Sequence, residues 1–178
     1  MQFDLSPHPA SPPGKPPFKV WANVDYSGEF GATASLNMWF GVSAPASRFV
    51  LPDHGEPGRR DELWRSTCFE AFLRPDGDSA YQEWNFAPAG DWAAYDFTAR
   101  REGMAEAAVV APPYVRTEDN LTWWAFGATL SIESGRRWAL GLSAVLEERD
   151  GTISHWALAH NGDRPDFHDP ACFTAALA

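Results

Sequence analysis

The segment 63–86, with the sequence LWRSTCFEAFLRPDGDSAYQEWNF, constrains the fold of this chain more than any other. It contains two runs of strand-forming residues, 66–73 and 80–86, and the residues between them include a proline and a glycine, which favour turns. The pattern predicts a β-hairpin in which the two runs pair as neighbouring antiparallel strands.

Side chains alternate between the two faces of a strand, so the hairpin sorts its residues into two sets. Glu70 shares one face of the first strand with apolar neighbours, whereas Phe69 and Leu73 share the other face. Glu83 and Asn85 share one face of the second strand, together with a tyrosine. Two acids, an amide and aromatic rings on a rigid two-stranded platform are typical of a binding site.

The hairpin resembles a known family at specific residues. Trp64 is followed after five residues by Glu70, and the next strand contains Tyr-x-Glu-x-Asn at 81–85. This pattern resembles the DOMON-like group that is related to family 9 carbohydrate-binding modules. The segments SHWALAH at 154–160 and PDFHDP at 165–170 add to the resemblance, which extends from about Phe18 to Phe173.

The resemblance implies an antiparallel β-sandwich that holds the end of a sugar, or in some relatives a haem, on one face. In the sugar-binding members an aromatic residue six positions before a strand carboxylate helps to form the site, and Trp64 and Glu70 match that spacing. We therefore expect Trp64 to stack on a sugar ring and Glu70 to accept hydrogen bonds from its hydroxyl groups. The further ligand-binding candidates, whose strands could share this sheet, are Glu83, Asn85, Trp156 and His160.

The rest of the chain repeats the alternation of a β protein. Further strands are predicted at 18–26, 30–40, 48–51, 92–98, 121–131, 137–146 and 153–159, with an irregular edge strand at 105–115 and a turn at 27–29. The expected fold class is all-β, an antiparallel β-sandwich of the jelly-roll or immunoglobulin-like kind with about ten strands and little helix.

The length of 178 residues suits one domain with a core of ordinary size. Six prolines lie between Ser6 and Pro17. We therefore expect residues 1–17 to form an extended, proline-rich arm, in which residues 6–17 cannot supply a sheet with backbone donors, and residues 18–178 to form the single carbohydrate-binding-like domain.

The excess of acidic over basic residues limits the classes of ligand that the protein can bind. Fourteen basic against 24 acidic residues give a net charge of −10, which argues against nucleic acids and anionic membranes but is compatible with a carbohydrate. The N-terminus lacks the features of a signal peptide, so the expected location is the cytoplasm. Cys68 and Cys172 are expected to be buried free thiols, and nothing in the pattern indicates an oligomeric state.

Signatures of enzymes are scarce, because the sequence has no Gly-rich phosphate loop, HExxH, CxxC or GxSxG motif. Glu70 and Glu83 on neighbouring strands would suit the acid pair of a glycosidase. Hydrogen bonds from a bound sugar, or a solvated and salt-bridged face, explain the same residues without chemistry. We therefore predict a non-catalytic carbohydrate-recognition module, with a glycan-active enzyme as an alternative.

No cofactor is expected, but two alternatives stay open. A haem would need an axial pair, for which the candidates are His155, His160 or His168 opposite Met38 or Met104. The acidic segment 161–169 could hold a calcium ion, although turn formation and capping of a short helix by Asp169 before Pro170 are preferred. Arg100 or Arg101, at the end of the strand 92–98, could reach over the face of Glu70.

Overall fold

The computed structural model of this chain describes residues 1–30 and 32–177. Within these residues twelve strands pair antiparallel, namely β1 (Gln2–Pro7), β2 (Val20–Phe30), β3 (Thr33–Val42), β4 (Cys68–Pro75), β5 (Tyr81–Phe86), β6 (Trp92–Phe97), β7 (Ala105–Glu106), β8 (Tyr114–Asp119), β9 (Trp124–Glu133), β10 (Trp138–Glu147), β11 (Ile153–Ala157) and β12 (Ala175–Leu177). The helical elements of the same part are single 3-10 turns at Ala46–Arg48, Leu63–Arg65 and Pro170–Cys172, and none is long or apolar enough to cross a membrane. The prediction of an all-β chain with little helix is confirmed.

The strands follow one another across a continuous sheet in the order β7-β6-β5-β4-β10-β11-β1-β2-β3-β9-β8, and β12 pairs with β10. Strand β1 connects two halves of this sheet. Its residues Gln2 to Leu5 pair with β2, whereas Ser6 and Pro7 pair with β11. The hairpin β4–β5 therefore belongs to one half, and strands β2, β3, β9 and β8 form the other.

The sheet curls so that its two halves face each other across one apolar core. Phe69 of β4 stacks on Phe40 of β3, with 4.9 Å between the ring centroids, and on Phe126 of β9, at 5.1 Å. Phe69 and Leu73 are buried, as the alternation in the hairpin predicted. The opposite face of β4 packs in a smaller apolar cluster around Phe72.

The structure corrects the sequence-based boundaries near the N-terminus. Residues 2–7, expected in the extended N-terminal arm, form β1, because the prolines begin only at Pro7 and the preceding residues keep their N–H donors. Strand β2 continues through the predicted turn at 27–29, with a register shift between Ser27 and Phe30. The predicted strand 48–51 is wrong: a 3-10 turn ends there, and Phe49 forms only an isolated bridge.

The region between the hairpin and the last long strands also differs from the prediction. The expected edge strand 105–115 divides into the two-residue β7 and the start of β8, because Pro112 and Pro113 interrupt it. Strand β9 begins at Trp124 rather than at Leu121. Cys68 and Cys172 are buried free thiols, as predicted.

Candidate functional site

The hairpin β4–β5 forms as the sequence predicted, and its register brings the two acids together. Glu70 pairs with Asn85 and Phe72 pairs with Glu83 across the strands, so the two glutamates are diagonal neighbours on the same face. Diagonal neighbours in an antiparallel pair lie about 7–8 Å apart in the backbone, within reach of long side chains. The opposite face of the hairpin lies in the core.

A cavity of about 330 Å³ opens over this face, and we call it the hairpin pocket. Its lining residues are the acids Glu70 and Glu83, the aromatic residues Trp64, Phe97 and Phe167, the basic residues Arg101, His155 and His168, and the apolar residues Met104, Val145 and Pro165. Six of the eleven lining residues are thus aromatic or apolar and five are ionisable, and ligand sites in proteins commonly combine apolar walls with polar groups that orient the ligand.

Glu70 is held at the floor of the pocket by burial and by one neutral donor. Its side chain is 3% exposed, and one carboxylate oxygen accepts a hydrogen bond of 2.8 Å from the Ser143 hydroxyl of β10. Burial, followed by repulsion from Glu83, raises the pKa of Glu70 to about 8, although the Ser143 hydrogen bond and Arg101 act in the opposite direction. Glu70 is therefore largely protonated at neutral pH.

Glu83 has a similar environment and a different set of neighbours. It is 5% exposed and accepts a hydrogen bond of 2.7 Å from the amide nitrogen of Asn85, while its other oxygen lies 3.6 Å from Nε2 of His168. Burial raises the pKa of Glu83, opposed by the Asn85 hydrogen bond and by Arg101. Asn85 is fully buried and orients the carboxylate from behind, so it does not line the pocket.

Trp64 stands at the rim on the 3-10 turn that precedes β4. The neighbouring Leu63 is buried and anchors the turn, and the indole ring packs edge-to-face on Tyr95 with 6.1 Å between centroids. Tyr95 is fixed in turn by a hydrogen bond of 2.6 Å that its hydroxyl donates to Asp61. Trp64 keeps 36% of its surface exposed and lines the pocket together with the two acids.

Backbone strain also concentrates around the pocket. The two non-glycine residues with positive φ in the described part are Glu62, at 61°, and Arg101, at 57°. Glu62 starts the turn that carries Trp64, and Arg101 lines the pocket itself. Such conformations cost free energy in residues with a Cβ and occur preferentially at functional sites.

Arg101 lines the pocket with Glu70, which confirms the prediction that one of two consecutive arginines reaches this face. Its guanidinium group is oriented by Asp166, whose Oδ1 accepts hydrogen bonds from Nε at 3.1 Å and Nη2 at 2.8 Å. Arg100 binds the other oxygen of Asp166 and also contacts Asp169 at 3.0 Å. These ion pairs hold the loop before His168 against the strand end after β6.

His168 and His155 are neutral members of the pocket. Nδ1 of His168 hydrogen-bonds the Tyr81 hydroxyl at 2.7 Å, and burial followed by the charge of Arg101 lowers the pKa of His168 to about 4. Burial and the neighbouring histidines lower the pKa of His155. The sequence suggested His155 as a candidate haem ligand and not as a sugar-binding residue, although its position two residues before Ala157 places it on the same face as Ser143 and Glu70.

The structure does not bring Trp156 or His160 to this pocket. Trp156 pairs with Ala144 and points to the opposite side of the sheet, where it is 2% exposed and packs against Phe18 in the core. His160 lies beyond the end of β11, where Nε2 hydrogen-bonds the backbone oxygen of Ser6 at 2.7 Å. Of the six sequence-based candidates, Trp64, Glu70 and Glu83 line the pocket and Asn85 supports it.

The acidic segment before Pro170 is occupied by structural contacts. Asp169 accepts a hydrogen bond of 2.9 Å from the backbone N–H of Ala171 and caps the 3-10 turn, so the capping prediction is confirmed. Asp166 is bound by Arg100 and Arg101. Within the described residues no group of three or more His, Cys, Asp or Glu side chains is arranged to hold a metal ion.

Only some of the candidate haem ligands lie in the hairpin pocket. Met38 is fully buried in the core between the two halves, and His160 lies outside the pocket. Met104 and the histidines 155 and 168 line the pocket together with two buried carboxylates, which do not fit the face of an apolar porphyrin. Haem binding by these residues stays a prediction, and a visible absorption spectrum after addition of haemin checks it.

A second, larger cavity of about 570 Å³ lies on the outer face of β2, β3, β9 and β8. Its central ring, Trp39, lies against Gly127 on one side and carries the guanidinium carbon of Arg116 at 4.1 Å from its centroid. Stacking of a ligand on Trp39 would have to displace this arginine. The hairpin pocket contains two buried carboxyl groups beside a partly exposed ring, whereas no buried charged residue is among the lining residues of the second cavity.

Comparison with known proteins gives likeness in structure only. No family profile and no curated protein sequence matches the chain. A protein from Bacteroides uniformis with a proposed carbohydrate-binding role superposes with a TM-score of 0.64 at 16% identity, over 99% of this chain and 85% of that one.

Two structures of family 9 carbohydrate-binding modules from Caldicellulosiruptor kristjanssonii are also similar. One, in complex with glucose, has a TM-score of 0.60 at 8% identity and covers 98% of this chain and 82% of that one. The other, in complex with cellotriose, has a TM-score of 0.54 at 8% identity and covers 88% and 72%. The fold is therefore shared with carbohydrate-binding modules, whereas the DOMON-like assignment stays a prediction.

Proposed function

We propose that this chain is a non-catalytic carbohydrate-recognition module that holds a mono- or oligosaccharide in the hairpin pocket. The observation that carries the proposal is the placement of the partly exposed Trp64 indole and two buried carboxylates in one cavity. The cavity volume of about 330 Å³ lies at the lower end of the range for small-molecule sites. The curled sheet with its facing halves is compatible with the β-sandwich of such modules.

The rim of the pocket offers apolar contact to one side of a sugar. The face of an indole ring carries negative charge density, and the C–H groups of a pyranose ring are weakly positive, so stacking adds to apolar burial. Tyr95 fixes the orientation of Trp64, and Met104 and Phe167 extend the apolar wall. A sugar bound here loses water from one ring face without leaving its hydroxyl groups in an apolar environment.

The floor of the pocket offers both a donor and an acceptor to the hydroxyl groups. The sequence suggested that Glu70 acts as a charged acceptor, but its raised pKa makes it a donor at neutral pH. Repulsion from Glu83 contributes to the raised pKa of Glu70, and the carboxyl oxygens of Glu83 add acceptors beside the Glu70 donor. Sugar hydroxyl groups, which both donate and accept, match this pair.

Calorimetric titration with glucose and cellotriose tests the proposal. We expect Trp64→Ala to weaken binding roughly tenfold, which corresponds to about 1.4 kcal/mol. Glu70→Leu removes both donor and acceptor and should weaken binding at least as much. Trp123→Ala is the matched control, because Trp123 is 37% exposed, close to the 36% of Trp64, and lies outside the pocket.

The outcome is decided on variants that keep the melting temperature of the wild type. Loss of affinity in Trp64→Ala and Glu70→Leu but not in Trp123→Ala supports the proposed site. If both pocket variants bind as tightly as the wild type, or if neither these two sugars nor any other sugar tested gives heat with the wild type, the proposal is wrong.

The enzyme alternative rests on the same two acids. A glycosidase would use Glu70 and Glu83 as acid and base, or as acid and nucleophile. The proposal of a non-catalytic module predicts that cellotriose stays intact during prolonged incubation with the protein. Release of glucose that disappears in Glu83→Gln would instead assign an enzyme.

A further inference from the structure

In and around the hairpin pocket, carboxyl groups outnumber guanidinium groups by four to two. Around it stand the carboxyl groups of Glu70, Glu83, Asp166 and Asp169, and the guanidinium groups of Arg100 and Arg101. If all of these are ionised, four negative charges face two positive ones, and two negative charges remain. Full ionisation of the floor is therefore incompatible with its burial unless a further positive charge enters.

The nearest cation does not neutralise the floor by a direct contact. Both hydrogen-bonding nitrogens of Arg101, Nε and Nη2, are directed to Oδ1 of Asp166, and no ion pair of Arg101 with Glu70 or Glu83 occurs among the described residues. The hydrogen bonds that Glu70 and Glu83 accept from side chains come from Ser143 and Asn85, which are neutral.

The other titratable groups that face the pair are uncharged at neutral pH. Burial lowers the pKa of both His155 and His168, so they do not supply the missing positive charge. Burial raises the pKa of the Tyr81 and Tyr95 hydroxyl groups, which therefore add no negative charge. Burial likewise raises the pKa of the Cys68 thiol on β4.

We infer that the preferred ligand of the hairpin pocket is an amino sugar, whose protonated primary amine lies between the carboxyl groups of Glu70 and Glu83. This inference rests on the proposed function and adds the chemical class of the sugar. Two buried carboxylates on one face bind an ammonium group through charge-assisted hydrogen bonds, which are about twice as strong as neutral ones. The ring of the same ligand stacks on Trp64, and its remaining hydroxyl groups face the mouth of the pocket.

Binding of an ammonium group has a consequence that a neutral sugar lacks. A positive charge beside Glu70 stabilises its ionised form, so the proton that Glu70 holds in the free protein is released to the buffer. Glucose and N-acetylglucosamine carry no positive charge and release no such proton. Proton release during binding therefore reports on the acid pair itself.

Calorimetry with glucosamine, glucose and N-acetylglucosamine at about pH 6.5 tests the inference, because primary amines next to electron-withdrawing groups, like α-amino groups, are largely protonated there. We expect glucosamine to bind roughly tenfold or more tightly than either neutral sugar. Titrations in two buffers of different ionisation enthalpy should show proton release with glucosamine alone.

Two glutamate variants separate the pocket from the general charge of the protein. In Glu83→Gln the ratio of glucosamine to glucose affinity should fall toward one. Glu118→Gln removes the same charge from an exposed side chain of strand β8 that does not line the pocket, and should keep the wild-type ratio. This control is needed because a net charge of −10 attracts any cation.

The outcomes distinguish this inference from the function on which it rests. If glucose binds and glucosamine binds no more tightly, or if Glu83→Gln keeps the wild-type ratio, the amino-sugar inference is wrong and the proposed function stands. If none of the three sugars binds, both fail. If Glu83→Gln has a lower melting temperature than the wild type, the titrations of the wild type decide. Tighter binding of glucosamine than of glucose with proton release supports the inference, and tighter binding without proton release overturns it.

Discussion

Phe69 links the two halves of the sheet through a single side chain. It is fully buried and stacks on Phe40 and Phe126, which belong to the half opposite its own strand. Phe69→Ala should therefore lower the free energy of unfolding by about 3–5 kcal/mol, because the facing rings cannot collapse into the cavity. Urea denaturation of the purified variant measures this loss.

An exposed aromatic residue provides the control for Phe69. Tyr114 is 68% exposed, so Tyr114→Ala should change the free energy of unfolding by no more than about 0.5 kcal/mol. Equal denaturation midpoints for Phe69→Ala and the wild type would show that the core does not depend on this stacking.

The buried acid pair makes stability depend on pH in a direction opposite to that of most carboxylates. The unfolded chain ionises Glu70 near a pKa of about 4.3, whereas the folded chain holds its proton up to a pKa of about 8. The folded state thus binds more protons in this window, and stability should fall as the pH rises from about 4.3 through about 8. The contribution is fully present below the lower value.

Thermal unfolding across this window, compared with Glu70→Gln, measures the effect of the pair. The amide cannot ionise, so the variant should lose less stability than the wild type as the pH rises, and at pH 8 it should melt at a higher temperature. Parallel curves for the two proteins would contradict the assignment of the shifted group to Glu70.

Strand β1 is short, but it pairs with strands from both halves of the sheet. It covers the edges of β2 and β11 at once, and its Leu5 is 4% exposed in the core. Leu5→Ala should lower the free energy of unfolding by about 2–5 kcal/mol. Deletion of residues 1–7 should be worse, because two unpaired strand edges then promote aggregation.

The deletion also distinguishes a strand from a surface arm. An arm that does not pair would leave stability unchanged when it is removed, so equal urea midpoints for the shortened and full chains would restore the sequence-based interpretation. Gln2→Ala is the control within β1, because its side chain is exposed.

The chain as a whole should unfold in one cooperative step, because both halves contribute to the same core. Far-ultraviolet circular dichroism should report a β-rich spectrum with little helix, and its urea transition should coincide with that of tryptophan fluorescence. Separate transitions would show that the half containing β4 and β5 unfolds independently of the half containing β2 and β3.

The sequence alone determined the local features of this protein. Alternation sorted each strand of the hairpin into two faces, so the burial of Phe69 and Leu73 followed from residues only a few positions apart. The common face of Glu70 and Glu83 depends in addition on the register between the two strands, which the structure shows. The capping role of Asp169 is local for the same reason, because its partner is two residues away.

Only the tertiary structure decided which distant segments meet. Alternation placed His155 and Trp156 on opposite faces of β11, but the pairing of that strand with β10 decided which face turns to the pocket and which to the core. Arg101 and His168 lie on loops, and the contacts of Asp166 with Arg101 and of His168 with Tyr81, across more than 60 residues in each case, bring them to the acids. Strand β1 likewise reaches β11 across about 150 residues, and no local pattern encodes such pairings.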